Sequence, residues 1–228
     1  MGVVVVAAGS GTRLRAASPK AFVALGGRPL LAHALDVVAA LPGLTSVAVV
    51  VPADLLDPSG PAWSGVSLPV GARVVAGGAD RTASVAAGLA ALDPACDVVV
   101  VHDAARCLTP PAVFDRVVAA VRSGADGAVP GVPVVDTVKV VDAEGLVVST
   151  PARESLRAVQ TPQAFAREVL VAAHASGVAA TDDAALVESL GHRVVVVEGD
   201  PRAFKVTTPE DLAHAERLLA ATTSGDPR

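Results

Sequence analysis

Four consecutive valines at positions 3–6, followed by Ala7 and Ala8, constrain the fold more than any other stretch. A β-branched run without polar alternation suits a strand buried on both faces, as the inner strands of a parallel sheet are. The run ends at Gly9, Ser10, Gly11 and Thr12, a loop of little side-chain bulk, and Arg13 and Lys20 follow it. Backbone N–H groups in such a loop can approach an anion closely, and two fixed positive charges beside them suit a polyphosphate. A glycine-rich turn after a strand also serves merely to connect elements. Two common phosphate loops do not fit: G-x-x-x-x-G-K-[ST] is absent, and Leu14 stands where G-x-G-x-x-G needs its last glycine.

Valine-rich strands alternating with alanine- and leucine-rich helical periods recur along the chain. The spacing predicts a helix over 28–41, a strand over 47–51, an irregular connection over 52–70 in which Trp63 packs, a short strand at 74–75 and a helix over 79–92. A buried strand follows at 98–101. Thr109 and Pro110 are placed to open a helix reaching Arg122, with the threonine as cap, and Ala128 and Val129 form another strand. From 133 to 156 polar and apolar residues alternate about Asp142 to Gly145, the pattern of an antiparallel arm projecting from the main sheet. Helices over 166–176 and 182–190, a strand over 193–197 and a helix capped by Thr208 complete the pattern, with 222–228 expected as a disordered tail. Repeated strand–helix units predict an α/β fold, a doubly wound, mostly parallel Rossmann-like sheet, in one domain over 1–221.

Composition removes several function classes. Hydrophobic residues make up 52% of the 228, yet they fall in short segments and no apolar run reaches the length of a membrane span. A net charge of −5 and an aromatic content of 2% supply neither the basic face nor the stacking platforms of a nucleic-acid binder. Any anionic ligand must be met by a local group of cations. Cys96 and Cys107 form neither a metal spacing nor a disulfide framework, and no secretory signal is evident, so a cytoplasmic location is expected.

In a doubly wound sheet ligands bind beyond the strand C-termini, and three further motifs fall there. Gly77 to Ser84, GGADRTAS, joins a strand to a helix and can present amides to a base or phosphate, or simply make a tight turn. His102 to Arg106, HDAAR, puts Asp103 at a strand end, where one carboxylate can hold Mg²⁺ on a triphosphate, or alternatively cap the next segment and pair with Arg106. Lys205 lies between a strand and a helix at the same edge as Arg13, Lys20 and Asp103.

AAGSGTR with Pro19 and Lys20, GGADR with Ser84, HDAAR, Asp136 to Lys139, Thr161 to Gln163, Thr181 to Ala184 and Lys205 to Thr207 occur in one order. In that order they resemble the 2-C-methyl-D-erythritol 4-phosphate cytidylyltransferases over residues 2–220. The resemblance implies that Ala7, Ala8, Gly9, Gly11, Gly78 and Ser84 contact CTP, with Asp103 and Ala104 near its ribose, triphosphate and Mg²⁺ or another divalent cation. It implies that Arg13 and Lys20 stabilise the transition state and that Arg153 and Lys205 position the methylerythritol phosphate, supported by Thr137, Thr161 and Thr181. It also implies a homodimer through the 133–156 arm, with Thr137 and Arg153 serving the neighbouring subunit's site. Cys107 and Ala79 depart from the family pattern, and Asp200 as a second metal ligand stays open. A cytidylyltransferase for another alcohol phosphate such as ribitol 5-phosphate, or a relative that binds CTP without turnover, fits many of the same residues.

Overall fold

The computed structural model describes residues 1–223 except 15, 17 and 179. Successive valines of each run point to opposite faces of one sheet, and helices cover both faces. Val3 and Val5 of β1 (Gly2–Val6), Val47, Val49 and Val51 of β2 (Ser46–Val51) and Val98 and Val100 of β4 (Val98–Asp103) enter one core. That core is closed by α1 (Leu30–Ala39) and α3 (Pro111–Arg122). Val4, Ala48, Val50, Val99 and Val101 enter the other, beneath α2 (Arg81–Ala91), α4 (Arg167–Ala175) and α5 (Asp183–Ser189). A side chain at Gly88 would overlap Val4 and come within 2.8 Å of Val50, so α2 lies closer to the sheet than any larger residue there would allow.

β1 is central, pairing in parallel with β2 on one side and β4 on the other, and β2 pairs with β3 (Arg73–Ala76). Beyond β4 the sheet turns antiparallel. β9 (Gln163–Ala166) lies between β4 and β5 (Gly127–Pro133), and β8 (Arg157–Val159) continues along β5 beyond the Thr161–Pro162 cis peptide. β10 (Val194–Glu198) adds to the other side of β5 in parallel. The doubly wound sheet is therefore as expected, but the two antiparallel insertions β8 and β9 were not predicted from the pattern.

The arm consists of β6 (Val140–Val141) antiparallel to β7 (Val147–Ser149), closed where Leu146 N donates to Asp142 Oδ1. Its apolar side chains are exposed, Val135 at 78% and Leu146 at 67%. Trp63 packs as expected, edge-on to Phe22, and its Nε1 donates to Leu55 O. Thr109 does not cap α3: Pro110 holds that position, and the Thr109 hydroxyl donates to Arg106 O, so it closes the HDAAR turn instead. The last helix, α6 (Pro209–Thr223), does use Thr208, whose hydroxyl accepts from Asp211 N, and it extends through the first two residues of the expected tail. Residues 224–228 of that tail lie outside the described residues.

Candidate active site

The order of winding reverses between β1 and β4, and the crevice beyond their C-terminal ends is where a doubly wound sheet offers a site. Val6 and Asp103 are register partners at that edge. A cavity of about 430 Å³ opens there, lined by Ala7, Ala8, Gly9, Lys20, Gly78, Arg81, Ser84, Asp103 and Lys205, among others.

Each wall follows from local sequence. Past β1 the chain leaves the sheet through residues 7–11, and Gly11 takes φ +64° with its backbone packed against the Lys20 stem, a place a side chain would fill. Two 3-10 turns, Thr12–Leu14 and Lys20–Phe22, bring Arg13 and Lys20 back toward the strand end. On the next wall Asp80 caps α2, accepting from Ala83 N at 2.8 Å, and the Ser84 hydroxyl accepts from Gly78 N at 3.1 Å. The glycine pair is thereby fixed by the helix that follows it. On the third wall Val206 N donates to Ala105 O, and Arg106 Nη1 donates to Ala203 O, tying the Lys205 segment to the HDAAR turn.

Asp103 is the electrostatic centre. Lys205 Nζ lies 2.7 Å from Oδ2 and Arg81 Nε 3.5 Å from Oδ1. Burial alone would raise this carboxyl, but Lys205, Arg81 and Arg106 outweigh it and hold it at about 2, so it is ionised. Lys20 is pushed the other way, down to about 8, by burial first and then by the repulsion of Lys205, Arg13 and Arg106, against the attraction of Asp103. Lys20, Arg81 and Lys205 thus outnumber the lining carboxylates of Asp80 and Asp103, an excess of positive charge that an incoming polyanion relieves. His102 is 1% exposed, and burial holds it near 4, so it is neutral and packs on Phe114. Cys107 is buried and pushed up to about 12, an inert thiol.

Ala7, Ala8, Gly9, Gly78, Ser84, Lys20, Asp103 and Lys205 therefore share one cavity. Gly11 stands behind Lys20, and exposed Arg13 acts on it through its charge without lining the cavity. Ala104 is fully buried, and its neighbour Ala105 takes the lining position. Thr161 is 4% exposed beneath Asp103, its hydroxyl accepting from Asp103 N at 3.0 Å and lying 3.2 Å from His102 Nδ1. Thr181 is exposed just before Asp182, the cap of α5. Thr137 and Arg153 lie exposed on the arm, with Arg153 Nη1 donating to Val135 O, and neither lines the cavity of its own chain. Asp200 is taken up by Arg202 and is not among the lining residues.

Arg81 is the lining cation that motif reading passed over. It sits directly after the Asp80 cap and contacts both Asp103 and Asp183. A charged residue opening a helix at this edge of the sheet was the available signal.

As for a metal, no group of three or more His, Cys, Asp or Glu forms a cage among the described residues. The buried, ionised Asp103 carboxylate in a cavity rich in cations fits instead a hard cation that arrives with phosphate oxygens of its own.

The family model described as IspD, 2-C-methyl-D-erythritol 4-phosphate cytidylyltransferase, matches residues 1–221. Among curated relatives, the 2-C-methyl-D-erythritol 4-phosphate cytidylyltransferase of Nocardia farcinica is 54% identical over 216 residues, covering 95% of this chain and 92% of its own. That of Frankia casuarinae is 49% identical over 224 residues, covering 98% and 82%. The crystal structure of the enzyme of the same name from Thermus thermophilus superposes with a TM-score of 0.77 at 38% identity, over 96% of this chain and 98% of that one. The 4-diphosphocytidyl-2C-methyl-D-erythritol synthase of Anaerococcus prevotii superposes with a TM-score of 0.83 at 29% identity, over 96% and 95%.

Proposed function

The chain belongs to the 2-C-methyl-D-erythritol 4-phosphate cytidylyltransferase family, and we propose that the cavity between the ends of β1 and β4 is where it carries out that family's chemistry. It is a nucleotidyltransferase that moves a cytidylyl group from CTP to 2-C-methyl-D-erythritol 4-phosphate, giving 4-diphosphocytidyl-2-C-methyl-D-erythritol and pyrophosphate for isoprenoid precursors. One observation carries the location: Lys20, Arg81 and Lys205, from three distant parts of the chain, converge with Asp103 on one cavity.

A phosphate oxygen of the alcohol phosphate attacks the α-phosphorus of CTP. The new P–O bond forms as the bond to the β-phosphate oxygen breaks, and pyrophosphate leaves with that electron pair. The nucleophile is already anionic near neutral pH, so no general base is needed, and buried neutral His102 is not one. What the protein must supply is relief of anion–anion repulsion and stabilisation of the charge on the non-bridging and leaving oxygens. Lys20 and Arg13 take that part from the β1 loop, and Lys205 holds the incoming phosphate from the opposite wall. The loop from Ala7 to Gly11, Gly78, Ser84 and the Asp103–Ala104 turn hold the nucleotide. Mg²⁺, held by Asp103 with the triphosphate, would neutralise phosphate charge and orient the chain of phosphates.

The arm, with its exposed valines and leucine, is too small to be stable alone and suits a homodimer in which Thr137, Arg153 and their neighbours reach the other subunit's cavity, with Thr161 and Thr181 as supports. A cytoplasmic location accords with two free, buried cysteines. No helix among the described residues is long and apolar enough to cross a membrane.

Pyrophosphate release with CTP, Mg²⁺ and 2-C-methyl-D-erythritol 4-phosphate tests the function. Turnover should fall sharply with any other nucleoside triphosphate and with ribitol 5-phosphate as acceptor. Equal rates with ribitol 5-phosphate would move the assignment to a broader alcohol-phosphate cytidylyltransferase.

A further inference from the structure

Asp183 is a fully buried carboxylate that does not cap its helix. The cap of α5 is its neighbour Asp182, which accepts from Ala185 N at 3.0 Å and from Gln163 Nε2 at 2.9 Å. A carboxylate kept out of water is costly unless it is paired. Among the described residues Asp183 has two side-chain partners. Arg81 Nη1 lies 2.7 Å from Oδ2, a close charge contact outside hydrogen-bond alignment, and His174 Nε2 lies 3.0 Å from Oδ1. The ring donates to this carboxylate oxygen from Nε2, while Nδ1 is buried with no hydrogen-bond partner among the described residues. The His174 side chain is 4% exposed, so the pair is closed off from solvent.

The two distances from Arg81 are unequal in an informative way. Its guanidinium touches Asp183 at 2.7 Å but stays 3.5 Å from Asp103. A guanidinium left beside one carboxylate makes a two-pronged pair with it. Such a pair here would occupy Asp103, the only carboxylate assigned to the nucleotide's cation, and turn Arg81 away from the cavity. We propose that Asp183 and His174 form a buried bracket that holds Arg81 off Asp103, so that Arg81 faces the nucleotide and one oxygen of Asp103 stays available. Arg81 is then a further nucleotide-binding residue, and Asp183 and His174 are positioning residues that never touch substrate. The inference rests on the cavity being the CTP site, as proposed above.

Calorimetric titration of CTP with Mg²⁺ into the whole enzyme, paired with thermal melting and steady-state kinetics, separates positioning from mere structure. Asp183→Asn should weaken CTP binding on the order of tenfold and raise KM for CTP more than it lowers kcat. In an Arg81→Gln background the same change should add less than about twofold, because Asp183 acts only through Arg81. His174→Gln, which can still donate to Asp183, should bind CTP within about threefold of wild type, while His174→Leu should approach Asp183→Asn. Arg81→Lys keeps a charge for Asp183 but lacks the planar fork that can hold Asp183 with one nitrogen and face the nucleotide with another, and it should also lose about tenfold, which decides the matter if Asp183→Asn does not fold. Wild-type affinity in Asp183→Asn or in Arg81→Lys overturns the bracket, as do additive losses in the double variant. A wild-type protein that binds no CTP overturns the site assignment together with the bracket, whereas failure of the variants alone removes only the bracket.

Discussion

Lys20 is charged in a place that resists charge, and two outcomes follow. Lys20→Ala should keep the melting temperature and lose pyrophosphate release, because removing one preorganised stabiliser of this kind costs about 3–4 kcal/mol in the barrier. A variant that still turns over at the wild-type rate would remove Lys20 from the transition state. The second outcome is a pH dependence. With its value at about 8 in the protein alone, Lys20 loses its proton as pH rises through that value, and a bound triphosphate pulls the proton back. CTP should therefore bind up to about tenfold more weakly at pH 9 than at pH 7, with net proton uptake near pH 8–9, read by calorimetry in two buffers of different ionisation enthalpy. For folding the sign is reversed: the folded value lies below the unfolded 10.5, so this one group adds stability as pH rises from about 8 toward 10.5. That Lys20, Asp103 and Lys205 share one cavity was legible because each follows a valine run, where a doubly wound sheet puts its ligands, whereas Arg13, read with them, stays outside the lining. Arg81 was only weakly legible, as a charge opening a helix at that edge, since its partner Asp183 lies about a hundred positions away and no local motif links the two.

Helix α2 shows how an element can serve packing and the site together. Its middle is pressed onto β1 and β2 at Gly88, and its start carries Asp80, Arg81 and Ser84 at the cavity. Gly88→Ala would gain about 1 kcal/mol of helix propensity and lose about 1–3 kcal/mol to overpacking. Net destabilisation is the expected result, seen as a lower melting temperature, and because the helix start would be displaced KM for CTP should rise as well. A stabilised Gly88→Ala protein would mean that α2 can shift away without cost. Periodicity captured the helices and parallel strands because both faces of the sheet are buried and the hydrophobic pattern is strong. It missed β8 and β9 because each is short and Gln160 to Pro162 interrupt them, so that no run of alternation marks where the chain rejoins the sheet after the arm. Their pairing is set by β5 and β4, not by their own residues.

For the whole molecule, the proposed exchange of arms makes each site a composite of two chains. Mixing Lys20→Ala with Arg153→Ala, each inactive alone, should restore about a quarter of wild-type activity after subunit exchange, since half the dimers are mixed and each of those has one intact site. No recovery, with exchange verified by light scattering or native mass spectrometry, would mean that Arg153 serves its own chain or none. Within a single chain the cavity is also assembled from far-apart segments: Lys205 meets Asp103 across 102 positions, and the backbone of Val206 is fastened to Ala105. During synthesis the N-terminal strands can pair while the ribosome is still adding the rest, as growing chains tend to fold from the front. The last cation cannot arrive until nearly the whole polypeptide has emerged. A nascent or C-terminally clipped molecule can thus have a sound valine core and be chemically silent, so that intactness of its far end, rather than compactness, decides whether it works.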